Sequence, residues 1–138
     1  MRRSSSVLLL LALLLLAGRA KGRAVTPQVA TNLAKLRTLA KQAGFPDAEL
    51  DTAAAIAMAE SGAVATSVRR NPPREVSVGL WQVNTLVHKE FTEAELLNPE
   101  ANARAARAVF LKAGGSWSPW SSFTTRNPSL SYRRFMPT

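Results

Sequence analysis

The sequence predicts a mainly α domain with a small β element, an α+β architecture in a single unit. Three observations carry this. Apolar residues recur at helical spacing in several windows, with capping residues or glycines at their ends. Asn71-Pro72-Pro73 breaks any helix through the middle of the chain, and a short alternating segment follows it. The 138 residues suffice for one domain and not two.

Taken in order, residues 1–20 lie apart from the fold. Met1-Arg2-Arg3 is basic, Val7 to Ala17 is an unbroken apolar block, and Gly18-Arg19-Ala20 ends in a small residue. That order reads as a secretory signal peptide. The block is short of the about 20 residues that a spanning helix needs. An uncleaved anchor is the alternative, and it is the only route to the membrane that the sequence suggests. The domain is therefore expected over residues 21–138, and the protein in the periplasm, cell envelope or extracellular space.

Thr26-Pro27 is a helix start, with threonine as cap and proline in the first turn. Val29, Leu33, Leu36 and Leu39-Ala40 form its apolar stripe, and Gly44 ends it. A second helix is expected from Ala48 to Glu60, rich in alanine and so able to let neighbouring backbones come close. Arg74 to Val78 and Gly79 to Asn84 are expected as two short strands of a hairpin-like element. Thr92 caps a short helix over Glu93 to Leu97. Asn98-Pro99-Glu100 starts the last long helix, whose apolar face is Ala103, Ala106 and Val109-Phe110, and Gly114-Gly115 ends it. Ser116 to Thr138 is rich in serine, proline and aromatics, with Tyr132 to Phe135 expected in a loose tail.

Composition excludes several classes of chemistry. There is no cysteine, so thiol catalysis and cysteine-bound zinc are out, and burial alone must hold the domain together. The sole histidine, His88, precludes histidine-pair metal motifs and is expected at the surface. No metal and no cofactor is expected. The formal net charge is +9, lowered by three if Arg2, Arg3 and Arg19 leave with residues 1–20. The basic residues are dispersed, without the aromatic interleaving of single-strand binders, so nucleic acid is not an expected partner.

Glu60 is the acid whose position needs a reason. It ends the apolar run Ala53 to Ala59, where the helix C-terminus already carries partial negative charge. Asp47, Glu49 and Asp51 sit at the other end of that helix, where negative charge is ordinary. Glycosidic cleavage needs an acid that keeps its proton until the leaving oxygen takes it. Two readings stay open on position alone: such an acid, or a solvated residue on the last turn. In Gly79-Leu80-Trp81-Gln82-Val83-Asn84, the alternation gives Gln82 and Asn84 one polar face, suited to sugar hydroxyls or acetamido groups. Trp81 either stacks on a sugar ring or packs the core.

Three motifs resemble the lysozyme-like lytic transglycosylase family, of the soluble type related to goose-type lysozyme. They are Ala57-Met58-Ala59-Glu60-Ser61-Gly62, then Ser77 to Asn84, then Leu97 to Ala103 with its Asn-Pro helix start. Gly115 to Ser121 is similar to endings of phage-type members. The resemblance spans about residues 48–123. It implies a lysozyme-like fold and cleavage of the β-1,4 bond between N-acetylmuramic acid and N-acetylglucosamine in peptidoglycan glycan strands. It implies Glu60 as the single catalytic acid and base, Ser61 as a hydrogen-bonding neighbour, and Gln82 and Asn84 as substrate contacts. Lytic transglycosylases close the product on the sugar's own hydroxyl, and lysozymes use water. The resemblance points to the first. A monomer is expected. A non-catalytic wall-binding domain of the same fold is a further alternative. The family's tyrosine-asparagine motif is absent, and Trp120 is the candidate for that wall. Glu75, the acid nearest the second motif, is expected to pair with Arg74 at the surface.

Overall fold

The computed structural model describes residues 25–138, so the expected signal segment lies outside the described residues. Helix α1 spans Pro27–Ala43; Thr26 accepts the Val29 N–H, and Gly44 closes the helix in a left-handed conformation. A 3-10 turn over Asp47–Glu49 leads into α2, Leu50–Ser61. Three antiparallel strands follow in the order β1-β2-β3: Val68–Asn71, Glu75–Val78 and Val83–Asn84. Helix α3, Glu93–Leu96, carries a capping box between Thr92 and Glu95. Helix α4, Pro99–Lys112, starts at Asn98, which accepts the Ala101 N–H. A single-turn α5, Ser121–Thr124, and a 3-10 turn over Tyr132–Phe135 complete the chain. Among the described residues, no helix is long and apolar enough to cross a membrane.

Helices α1 to α4 form where capping and periodicity place them, α5 and the two 3-10 turns were not expected, and the β element differs. The hairpin is β1 with β2, turning through Pro72-Pro73, with Val68 opposite Val78 and Asn71 opposite Glu75. Gly79 to Gln82 is not a strand but a tight turn. Gly79 and Gln82 both have positive φ, at 79° and 47°, and the Gln82 N–H donates to the Gly79 carbonyl at 3.1 Å. Only Val83 and Asn84 pair with β2. The alternation of Gln82 and Asn84 therefore does not arise from strand pleating.

The reason for the turn is the side chain of Asn102 on α4. It is completely buried. Its Nδ2 donates to the carbonyls of Val78 and Leu96, at 2.8 and 2.9 Å, and its Oδ1 accepts the Trp81 N–H at 2.8 Å. One amide thus joins α4, the end of β2, the turn and the end of α3. The backbone comes so close that a Cβ at Gly79 would lie 2.2 Å from Asn102 Nδ2 and 2.3 Å from the Leu96 carbonyl oxygen.

The core lies where α1, α2 and α4 meet the sheet. Leu36 and Ala40 of α1 meet Leu50, Ala53, Ala54, Ile56 and Ala57 of α2, and Ala103, Ala106, Val109 and Phe110 of α4. Phe45, Phe110, Trp117 and Trp120 form an aromatic cluster, with Phe45 stacked on Trp117 at 5.2 Å between ring centroids. The C-terminal segment packs back on α2 and is not a loose tail. Tyr132 stacks on Phe123 at 5.1 Å, and Ser131 is buried. The basic side of α4 is only partly a solvated face: Arg104 and Lys112 are exposed, while Arg107 is half-buried and donates to the Gly44 carbonyl.

Asn102→Ala orphans one N–H and two carbonyls in the core, and should cost about 3 kcal/mol of stability. Gly79→Ala should be comparably damaging. Gly62→Ala should cost only about 1 kcal/mol, because it meets positive φ but no neighbour within 4 Å. Urea unfolding midpoints of the three variants check this ordering.

Candidate active site

A cleft of about 270 Å³ opens between the end of α2, the sheet and the start of α5. Glu60, Arg69, Glu75, Ser77, Gln82, Asn84, His88 and Trp120 are among the residues that line it. Strand register explains one wall. Arg69 stands opposite Ser77, and Ser77 opposite Asn84, so the three form a row on one side of the sheet. Glu75, two residues before Ser77, shares that side.

Glu60 reaches the cleft from the last turn of α2. Helix α5 begins without a side-chain cap of its own. The Glu60 carboxyl supplies one from across the cleft: its Oε1 accepts the Ser122 N–H at 3.2 Å. The acid is thereby fixed between two elements far apart in sequence. Arg69 lies beneath, its guanidinium 3.4 Å from the Glu60 carbonyl oxygen and 3.5 Å from Glu75 Oε1.

The two amides of the β turn differ. Asn84 spends its side chain on backbone: Oδ1 accepts the N–H groups of Val76 and Leu86, and Nδ2 donates to the Arg74 carbonyl. Gln82 donates Nε2 to the carbonyls of Ser67 and Gly79, at 3.0 and 2.9 Å. These two bonds fix the orientation of the amide. Its Oε1 is shielded from solvent and has no hydrogen-bond partner among the described residues.

A family model described as a lysozyme-like domain matches residues 37–122. The chain belongs to this family. No curated protein and no solved structure matches the chain. The lysozyme-like match runs from the middle of α1 into α5 and so includes every cleft residue named above. Membership supports a broad role in cleaving glycosidic bonds of peptidoglycan.

Within this lysozyme-like domain, the structure decides the open reading of Trp81 against a substrate contact and corrects two expectations. Trp81 is a core residue and not a wall of the cleft: it is completely buried, and its indole N–H donates to the Ala53 carbonyl at 3.0 Å. Ser61 turns its hydroxyl back onto the Ala57 carbonyl of its own helix and does not line the cleft. Glu75 does not form a pair with Arg74; it faces the cleft with Arg69 and Ser77. Trp120 does line the cleft, with its ring largely buried and its indole N–H on the Trp81 carbonyl at 2.7 Å.

Arg69, His88 and the Ser122 backbone are among the groups at the cleft that escaped the sequence reading. Ser122 bonds Glu60 through its backbone, which no side-chain pattern announces. His88 lines the cleft instead of lying on the open surface, because its N–H on the Asn84 carbonyl, at 2.8 Å, folds the chain back after β3. Its Nδ1 is shielded and has no partner among the described residues. Burial lowers the His88 imidazole below its ordinary value of 6.5; Glu90 opposes this and Lys112 adds to it.

Above pH about 6.5, folded and unfolded chains both carry a neutral imidazole. Below it, the unfolded chain takes the proton first, so the folded state loses stability until its own imidazole protonates. The single imidazole resonance should titrate below 6.5 by NMR. The fall in urea midpoint between pH about 7 and about 5 should be smaller in His88→Gln than in the parent protein.

Proposed function

We propose that the protein cleaves the β-1,4 bond between N-acetylmuramic acid and N-acetylglucosamine in peptidoglycan, with Glu60 as general acid. The observation that carries this reading is the Glu60 carboxyl itself. It ends an apolar helix, faces an open cleft and is held at one oxygen by the Ser122 N–H. Protonation of the glycosidic oxygen lets the C1–O4 bond break through an oxocarbenium-like transition state. Gln82, which lines the cleft, contacts a sugar hydroxyl or acetamido group. Trp120, Pro119 and Ser121 form the facing wall, and Asn84 braces the turn that presents Gln82.

Two ways of finishing the reaction fit this cleft. The resemblance favours transglycosylation, in which the muramyl hydroxyl closes a 1,6-anhydro ring and Glu60 takes back the proton. The presence of Glu75 on the same cleft favours water as the acceptor. The protein is also proposed to be exported as a monomer, with residues 1–20 removed as a signal peptide. N-terminal sequencing of the protein recovered outside the cytoplasm should give a start near residue 21 and not at Met1.

Purified protein incubated with peptidoglycan should release soluble muropeptides, detectable by mass spectrometry. Glu60→Gln should lower the rate by about 10²–10⁴-fold while leaving pull-down on peptidoglycan intact. Undiminished release by Glu60→Gln would falsify the assignment of the acid. Retention on peptidoglycan with no release by the parent protein would mark a binding domain instead.

A further inference from the structure

We infer that Glu75 is the general base of this cleft and that the protein is a hydrolase. This rests on the reading of Glu60 as the acid. The resemblance implies one catalytic carboxylate; the structure brings a second one to the same cleft.

Glu75 is placed there by strand register, not by chance exposure. It lies on the side of β2 that carries Ser77, in the row with Arg69 and Asn84. Ser77, itself buried, donates its hydroxyl to Glu75 Oε1 at 2.8 Å. The Arg69 guanidinium lies 3.5 Å from the same oxygen. A cation and a hydroxyl donor at one oxygen fix the orientation of the carboxyl group. Oε2 has no hydrogen-bond partner among the described residues and is free to accept one from water. Arg69 also touches the Glu60 carbonyl, so one side chain spans the elements that carry both acids.

The chemistry then balances with water as the only co-reactant. Glu60 gives its proton to O4 as the C1–O4 bond breaks. The oxygen of a water molecule held by Glu75 forms a bond to C1, and its proton passes to the Glu75 carboxylate. The products are two free chain ends, one of them a reducing sugar. Glu75 then gives its proton to bulk water and Glu60 regains one, which restores the cleft.

The test uses the full-length processed protein and peptidoglycan, with muropeptide ends read by mass spectrometry. The parent protein should leave reducing ends without 1,6-anhydro products. Glu75→Gln should slow release by about 10²-fold or more, and sodium azide, a nucleophile that needs no base, should restore the rate with formation of a glycosyl azide. Circular dichroism confirms that the variant is folded, and Glu75→Asp, which keeps the carboxylate, should retain part of the rate. Anhydro ends from the parent protein, an unchanged rate in Glu75→Gln, or a loss that azide does not restore each overturn the role of Glu75. Release that depends on Glu60 but not on Glu75 overturns this inference alone. No release by the parent protein overturns the Glu60 reading as well.

Discussion

The buried amide of Asn102 is the interaction on which the rest of the site depends. A side-chain amide in an apolar core is costly unless it is fully bonded. Here the carbonyl oxygen and the NH₂ group are both engaged, with the turn backbone, the end of β2 and the end of α3. Because these partners belong to separate elements, the amide sets their relative positions as well as its own. Gly79 is the complementary half of the arrangement, since any side chain there would occupy the space of the amide.

From that joint the geometry of the cleft follows. The turn from Gly79 to Gln82 places Trp81 inward, where its indole N–H ties it to α2 and its carbonyl receives the Trp120 indole N–H. Gln82, next in the chain, is turned the other way with positive φ, a conformation that costs a non-glycine residue about 1–2 kcal/mol. The cost is borne at a residue that lines the cleft. Trp120 then leads directly into α5, whose N–H from Ser122 holds Glu60. A chain of packed aromatics and backbone bonds thus runs from the core joint to the acid.

Much of the helical architecture was legible in the sequence because caps act locally. Thr26, Thr92 and Asn98 each bond an N–H within three residues, and Gly44 needs only its own backbone freedom. The apolar stripes of α1, α2 and α4 could be read for the same reason: periodicity is a property of consecutive residues. The β element could not be read this way. Val68 to Asn71 offers no clear alternation, and it becomes a strand only because β2 is there to pair with it. Gly79 to Asn84 does alternate, but the amide of Asn102, some twenty residues on, imposes a turn instead.

For the site, the sequence by itself determined the placement of Glu60 at the end of an apolar helix and the family motifs around it. Those features depend on neighbours along the chain. Only the tertiary structure decided which side chains share the cleft. It withdrew Trp81 into the core and Ser61 onto its own helix, and it brought in Glu75, His88 and the Ser122 backbone. The reason is that strand register, helix crossing and the return of the C-terminal segment are set by long-range packing. A residue's partner across a cleft is fixed by that packing, and no spacing within the chain encodes it.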